Sequence, residues 1–146
     1  MTDVLVLNGP NLGRLGSREP DVYGHLDHPG LAQRVLGWAA ELGCEAEVRQ
    51  TDDEAELMAW LHEAVDTRRD VVLNPAAFTH YSYALRDAAA QVTTGGLRLI
   101  EVHLSNPASR ERFRHTSVIA GVATGTIAGF GVDSYRLALQ ALVHQA

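Results

Sequence analysis

Five short runs rich in Val, Leu and Ile, at Val4–Leu7, Ala46–Arg49, Val71–Leu73, Leu99–His103 and Thr126–Phe130, alternate with longer stretches whose apolar positions recur at helical spacing. Short β-branched runs separated by amphipathic helices are the pattern of a parallel sheet covered on both faces. Thr51-Asp-Asp-Glu54 reads as a capping box, followed by Leu57, Trp60, Leu61, Ala64 and Val65 on one helical face. Asn106-Pro107 reads as a cap before a first-turn proline that opens a further helix. Other helices are expected near Leu31–Leu42, Tyr81–Val92 and Asp133–His144. Right-handed crossovers then predict an α/β fold, a doubly wound, flavodoxin-like sheet of five parallel strands in the order 2-1-3-4-5 between two helical layers. Units of this kind take roughly 30 residues, so residues 1–146 are expected to form one domain.

Composition sharpens this. The 12 basic residues are all arginine, and lysine is absent. No Schiff base can form on a lysine, and neither a P-loop nor a phospho-aspartate switch has its lysine. A formal charge of −6 argues against a nucleic-acid or anionic-membrane surface. Cys44 is the single cysteine, expected as a small apolar residue in a helix-to-strand turn, and it fits a reducing compartment. With no basic leader and no long apolar run, a soluble cytoplasmic protein is expected. The seven histidines show no His-x3-His spacing, so no metal is expected.

In an open α/β sheet the site lies beyond the carboxyl ends of the strands, and polar residues gather there. Asn8 and Asn11 follow the first strand, Asn74 and His80 the third, and Glu101 and His103 close the fourth. Between Gly9 and Gly24 runs a long loop punctuated by glycine and proline, longer than strand-to-helix loops usually are and therefore a candidate lid. It carries Arg14, Arg18 and Tyr23. A neighbouring cation favours phenolate, so Arg18 could prepare Tyr23 as a base; alternatively Tyr23 packs the loop down.

His80 is expected in the first turn of the next helix, either as a neutral hydrogen-bonding partner or as a solvated cap. Glu101 and His103, two apart on a strand, share a face, and the carboxylate can orient the imidazole as a general acid. Arg110 and Arg114, four apart on the expected helix, form either a clamp for a carboxylate or a solvated basic face.

The segments Asn8-Gly-Pro-Asn-Leu-Gly-Arg-Leu-Gly16, Arg18-Glu-Pro-x-x-Tyr23-Gly24, Glu101-Val-His-x-Ser-Asn106 and Arg110-Glu-x-Phe-Arg114 together resemble the type II 3-dehydroquinases, over essentially the whole chain. The resemblance implies a cofactor-free dehydration of 3-dehydroquinate to 3-dehydroshikimate, in a homo-oligomer built from trimers into a dodecamer. Carried residue by residue, it makes Tyr23 the base, with Arg18 lowering its pKa, and His103 the acid, oriented by Glu101. Asn11 and Asn74 would hold the enolate oxygen through an ordered water. Arg114, Leu104 and Ser105 would grip the substrate carboxylate, His80 and a neighbouring subunit's Asp87 the ring hydroxyls, and Arg110 would help the lid close.

Five positions depart from the family pattern: Phe78, Tyr81, the pair His25 and His28, and Gly121. Tyr81 is a second phenol and thus a rival base, while His25 and His28 either tune the lid with pH or lie on the surface. Two other functions fit the fold less well. An FMN-binding electron carrier needs a Ser/Thr-rich phosphate loop where Arg14 and its leucine and glycine neighbours stand. A phosphate-receiver domain needs the missing lysine and an acidic pair at the other end of the strand from Asp3.

Overall fold

The structure is a computed structural model that describes residues 2–17, 19–23 and 25–144, without the side chains of Pro20 and Tyr23. Its sheet comprises β1 (Asp3–Asn8), β2 (Glu45–Gln50), β3 (Asp70–Asn74), β4 (Leu99–His103) and β5 (Gly125–Ala128). All four pairings are parallel, in the order β2-β1-β3-β4-β5. The expected order is borne out, with strand bounds shifted by two residues at most.

The helices are α1 (Pro20–Tyr23), α2 (His28–Leu42), α3 (Glu54–Thr67), α4 (Tyr83–Thr94) and α5 (Asp133–His144). Period-two alternation in the strands divides the core between two faces. Val4, Val6, Val72 and Val102 pack with Leu31 and Val35 of α2 and Leu139 of α5, and Leu5, Leu7, Leu73 and Leu99 with Leu57 of α3 and Leu85 of α4. Cys44 is buried in the turn between α2 and β2, as expected, and burial pushes its thiol up. Among the described residues no helix is long and apolar enough to cross a membrane.

Three local expectations change. The cap of α3 is Asp53, whose carboxylate accepts from the Ala55 N–H. Thr51 instead accepts from the Asp53 N–H, so the hydroxyl shapes the approach while a carboxylate caps the helix. Asn106 does cap, accepting from the Ala108 N–H, but it opens only a 3-10 turn, Pro107–Ser109, with a second such turn at Arg112–His115. Arg110, between them, has extended backbone at φ −114°, so Arg110 and Arg114 are not on one helix. His80 ends the 3-10 turn Ala76–His80, and Ser82 caps α4 through the Leu85 N–H. His80 therefore precedes α4, and the first-turn placement is wrong.

Candidate active site

The carboxyl ends of β1, β3 and β4 open into a cleft walled by Pro10, Leu12, Ala76 and Ala77, at the place where open α/β sheets bind their ligands. Of the expected site residues, Asn11, Asn74, His80, His103, Leu104, Ser105, Arg110 and Arg114 line it. Glu101 lies directly behind His103. Arg18 and the side chain of Tyr23 lie outside the described residues. Asp87 is exposed on α4, paired with Arg86 at 3.0 Å, and does not line the cleft of its own chain.

The best-defined chemistry belongs to β4. Leu99, Glu101 and His103 alternate onto the α3/α4 face, and Glu101 is 1% exposed. His103 Nε2 lies 2.6 Å from Glu101 Oε2. The Thr79 hydroxyl donates to the same carboxylate at 2.5 Å. Ser117 Oγ already accepts from the Ile119 and Ala120 N–H groups, so its proton points to Glu101, at 2.9 Å. Burial by itself would raise the Glu101 pKa, but the His103 contact and the two hydroxyls together outweigh it and hold the carboxyl below its usual range. An ionised Glu101 fixes His103 with a proton on Nε2. That leaves Nδ1 as the ring atom able to give or take a proton at the cleft.

Across the cleft, Arg110 reaches the Ser105 hydroxyl at 3.4 Å and Glu19, at the end of the Gly9–Gly24 segment, at 3.3 Å. Arg110 thus ties the fourth-strand loop to the expected lid. Arg114 Nε donates to Glu111 at 2.9 Å and holds that carboxyl below its usual range. Although no shared helix carries them, both arginines line the cleft. His80 Nδ1 donates to the Thr116 carbonyl at 2.7 Å, and its ring meets Phe113 edge-on at 5.6 Å. Asn11 adopts left-handed backbone (φ 70°), with its N–H on Asp52 at 2.8 Å, which turns the chain across the cleft mouth.

Asn74 is less available than expected. Its Oδ1 accepts from the Ala76 N–H at 3.1 Å and its Nδ2 donates to Tyr135 at 2.9 Å. Among the departures, Tyr81 is 58% exposed, packs edge-on against the buried Phe78 and stands outside the cleft lining. Gly121 is exposed, with open space where a side chain would project. His28 begins α2 and bonds Asn8. Sequence reasoning missed Thr79, Ser117 and Tyr135. Thr79 stands beside His80 and could have been suspected; nothing in the sequence marks the other two.

A doubly wound parallel sheet, with an oriented histidine and two arginines at its carboxyl edge, defines an α/β enzyme built for a small anionic substrate. Comparison with known proteins makes this specific. The profile of the family Dehydroquinase class II matches residues 2–143, and the chain belongs to that family. The 3-dehydroquinate dehydratase of Salinispora tropica is 56% identical over 143 residues, covering 98% of each chain. That of Mycobacteroides abscessus is 52% identical, over 98% of this chain and 97% of its own. The type II dehydroquinase of Propionibacterium acnes superposes with a TM-score of 0.95 at 52% identity, over 99% of this chain and 97% of the other.

Proposed function

We propose that this hydro-lyase dehydrates 3-dehydroquinate to 3-dehydroshikimate in two steps, through an enolate, with its catalytic groups in one domain spanning the chain. The observation that carries the reading is the Glu101–His103 pair at the floor of a cleft faced by Arg110 and Arg114. A proton next to a ketone is too weakly acidic for phenolate unless the enolate charge is stabilised as it develops. Tyr23, with Arg18 lowering its pKa, takes the proton beside the C3 ketone. Asn11 and Asn74 steady the enolate oxygen through an ordered water. The enolate then collapses, expelling the C1 hydroxyl, which leaves as water with a proton from His103 Nδ1. With Nε2–H on an ionised Glu101, the imidazolium is stabilised before transfer, and neutral His103 remains afterwards.

The substrate carboxylate replaces Glu111 as the partner of Arg114, beside Leu104 and Ser105. His80 meets the ring hydroxyls, and Arg110 draws the lid shut through the Glu19 end. Asp87 enters from a second copy. It lies four residues from Tyr83 on α4, hence on the same face, and Tyr83 is 70% exposed. A subunit covering that aromatic face would bring Asp87 to a neighbour's cleft, in trimers assembled into a dodecamer.

The purified protein is expected to convert 3-dehydroquinate to a conjugated enone, followed by ultraviolet absorbance, at a rate indifferent to chelator and borohydride. No product at high enzyme concentration would refute the reading. Tyr23→Phe is expected to lower kcat by about 100-fold or more, the size of a general-base contribution, with assembly unchanged by light scattering.

A further inference from the structure

A buried hydrogen-bond chain runs from the turn lining the cleft, through the α2/α5 face of the sheet, to the start of α2. Ala76 N–H meets Asn74 Oδ1 at 3.1 Å, and Asn74 Nδ2 meets the Tyr135 hydroxyl at 2.9 Å. That hydroxyl meets Asn8 Oδ1 at 2.6 Å, and Asn8 Nδ2 meets His28 Nε2 at 3.0 Å. Asn8 and Tyr135 are fully buried, and Asn74 is 3% exposed.

The direction of every bond is set from one end. A backbone N–H can only donate, so the Asn74 atom facing Ala76 must be oxygen, and its amide nitrogen must then face Tyr135. Tyr135 accepts that bond and has one proton left, which must go to Asn8, whose amide oxygen therefore faces the phenol. The Asn8 nitrogen is left pointing at His28, and a donor there requires a lone pair on Nε2. Burial pushes the Tyr135 phenol far above its ordinary value, with the Asn74 bond opposing, so it stays a donor. Burial likewise lowers the His28 imidazole, against the pull of Asp27.

We infer that His28 is a positioning residue for the reaction: as a neutral ring protonated on Nδ1, it is the acceptor that completes the chain whose direction Ala76 sets, and so holds Asn8, Tyr135 and Asn74 in place behind the Ala76–Ala77 turn facing the cleft. The turn needs fixing, since Ala76 is held at φ +51°, a left-handed conformation that is unfavourable for a non-glycine residue. Were Nε2 to carry a proton, two donors would oppose each other at Asn8. The chain could be repaired only by reversing every member, and the Ala76 N–H cannot reverse. The inference rests on the proposed reaction for its kinetic consequence but not for its structural one.

Two measurements test it. In ¹⁵N NMR at neutral pH, the His28 signal, assigned by its loss in His28→Gln, is expected to show a protonated Nδ1 and an unprotonated Nε2. The charged ring or the other tautomer would overturn the inference, and this holds even if the protein proves to have no dehydratase activity. In steady-state kinetics, His28→Leu and Tyr135→Phe are each expected to lower kcat about tenfold, equivalent to ~1.4 kcal/mol, with KM changed less than about twofold. His28→Gln, which offers an amide oxygen to Asn8, is expected to restore most of that kcat. Because one cut already releases Asn74, the double variant His28→Leu/Tyr135→Phe is expected to be no slower than the slower single. Multiplying losses, or His28→Gln as slow as His28→Leu, would also overturn it.

Discussion

At the scale of single residues, Glu101 is the group on which the site turns, because three donors converge on one nearly inaccessible carboxylate. Its folded-state pKa lies below that of the unfolded chain. Its contribution to stability is therefore complete above the ordinary glutamate range, near about 4.3, and is lost as the pH falls through the lower folded-state value. Glu101→Gln is expected to flatten the acid limb of a plot of Tm against pH, where the parent falls steeply. Thr79→Val removes one donor from the buried carboxylate and should cost about 1–3 kcal/mol, read from denaturant unfolding. The Glu101–His103 pair was legible in the sequence because two residues on a strand share a face whatever surrounds them. Ser117 was not, because 38 residues separate it from Thr79 and only folding brings both to Glu101.

Among the secondary-structure elements, periodicity located the strands and long helices, and side-chain chemistry at their ends decided the details. Thr51-x-x-Glu54 satisfies the spacing of a capping box, yet Asp53 has the carboxylate and the extended backbone that a cap requires. Asp53→Ala is expected to lose about 0.5–2 kcal/mol of stability, Asp53→Asn much less, and Glu54→Ala less than Asp53→Ala, all measurable by thermal melting. A capping box at Thr51 would require Glu54→Ala to be the costly change. The segment after Asn106 has the cap and the proline of a helix start but breaks into two short turns. Arg110 and Arg114 accordingly reach the cleft from separate backbone segments rather than from one helical face. Both line the cleft, but not from the shared helical face that their spacing predicts.

At the scale of the whole molecule, the exposed rings bear on assembly. Tyr81, Tyr83 and Phe113 are each more than half exposed, which is unusual for rings grouped around one segment of a free monomer. Light scattering is expected to give twelve times the 15.8 kDa chain mass. Tyr83→Asp, which places a charge on the proposed contact face, is expected to yield smaller species with lower activity, since Asp87 would no longer reach a neighbour's cleft. Unchanged mass and rate in that variant would count against assembly through α4.

The alternation of apolar runs by itself determined the sheet, its order and the edge where chemistry gathers, because burying a strand on both faces demands continuous hydrophobic residues and crossover connections have one hand. The absence of lysine likewise determined that any cation in the site is an arginine or a histidine. What only the tertiary structure decided is which polar groups face one another. The Glu101 cradle and the chain from His28 to Ala76 join residues on different elements, and hydrogen bonds fix their direction only when every donor meets an acceptor in three dimensions.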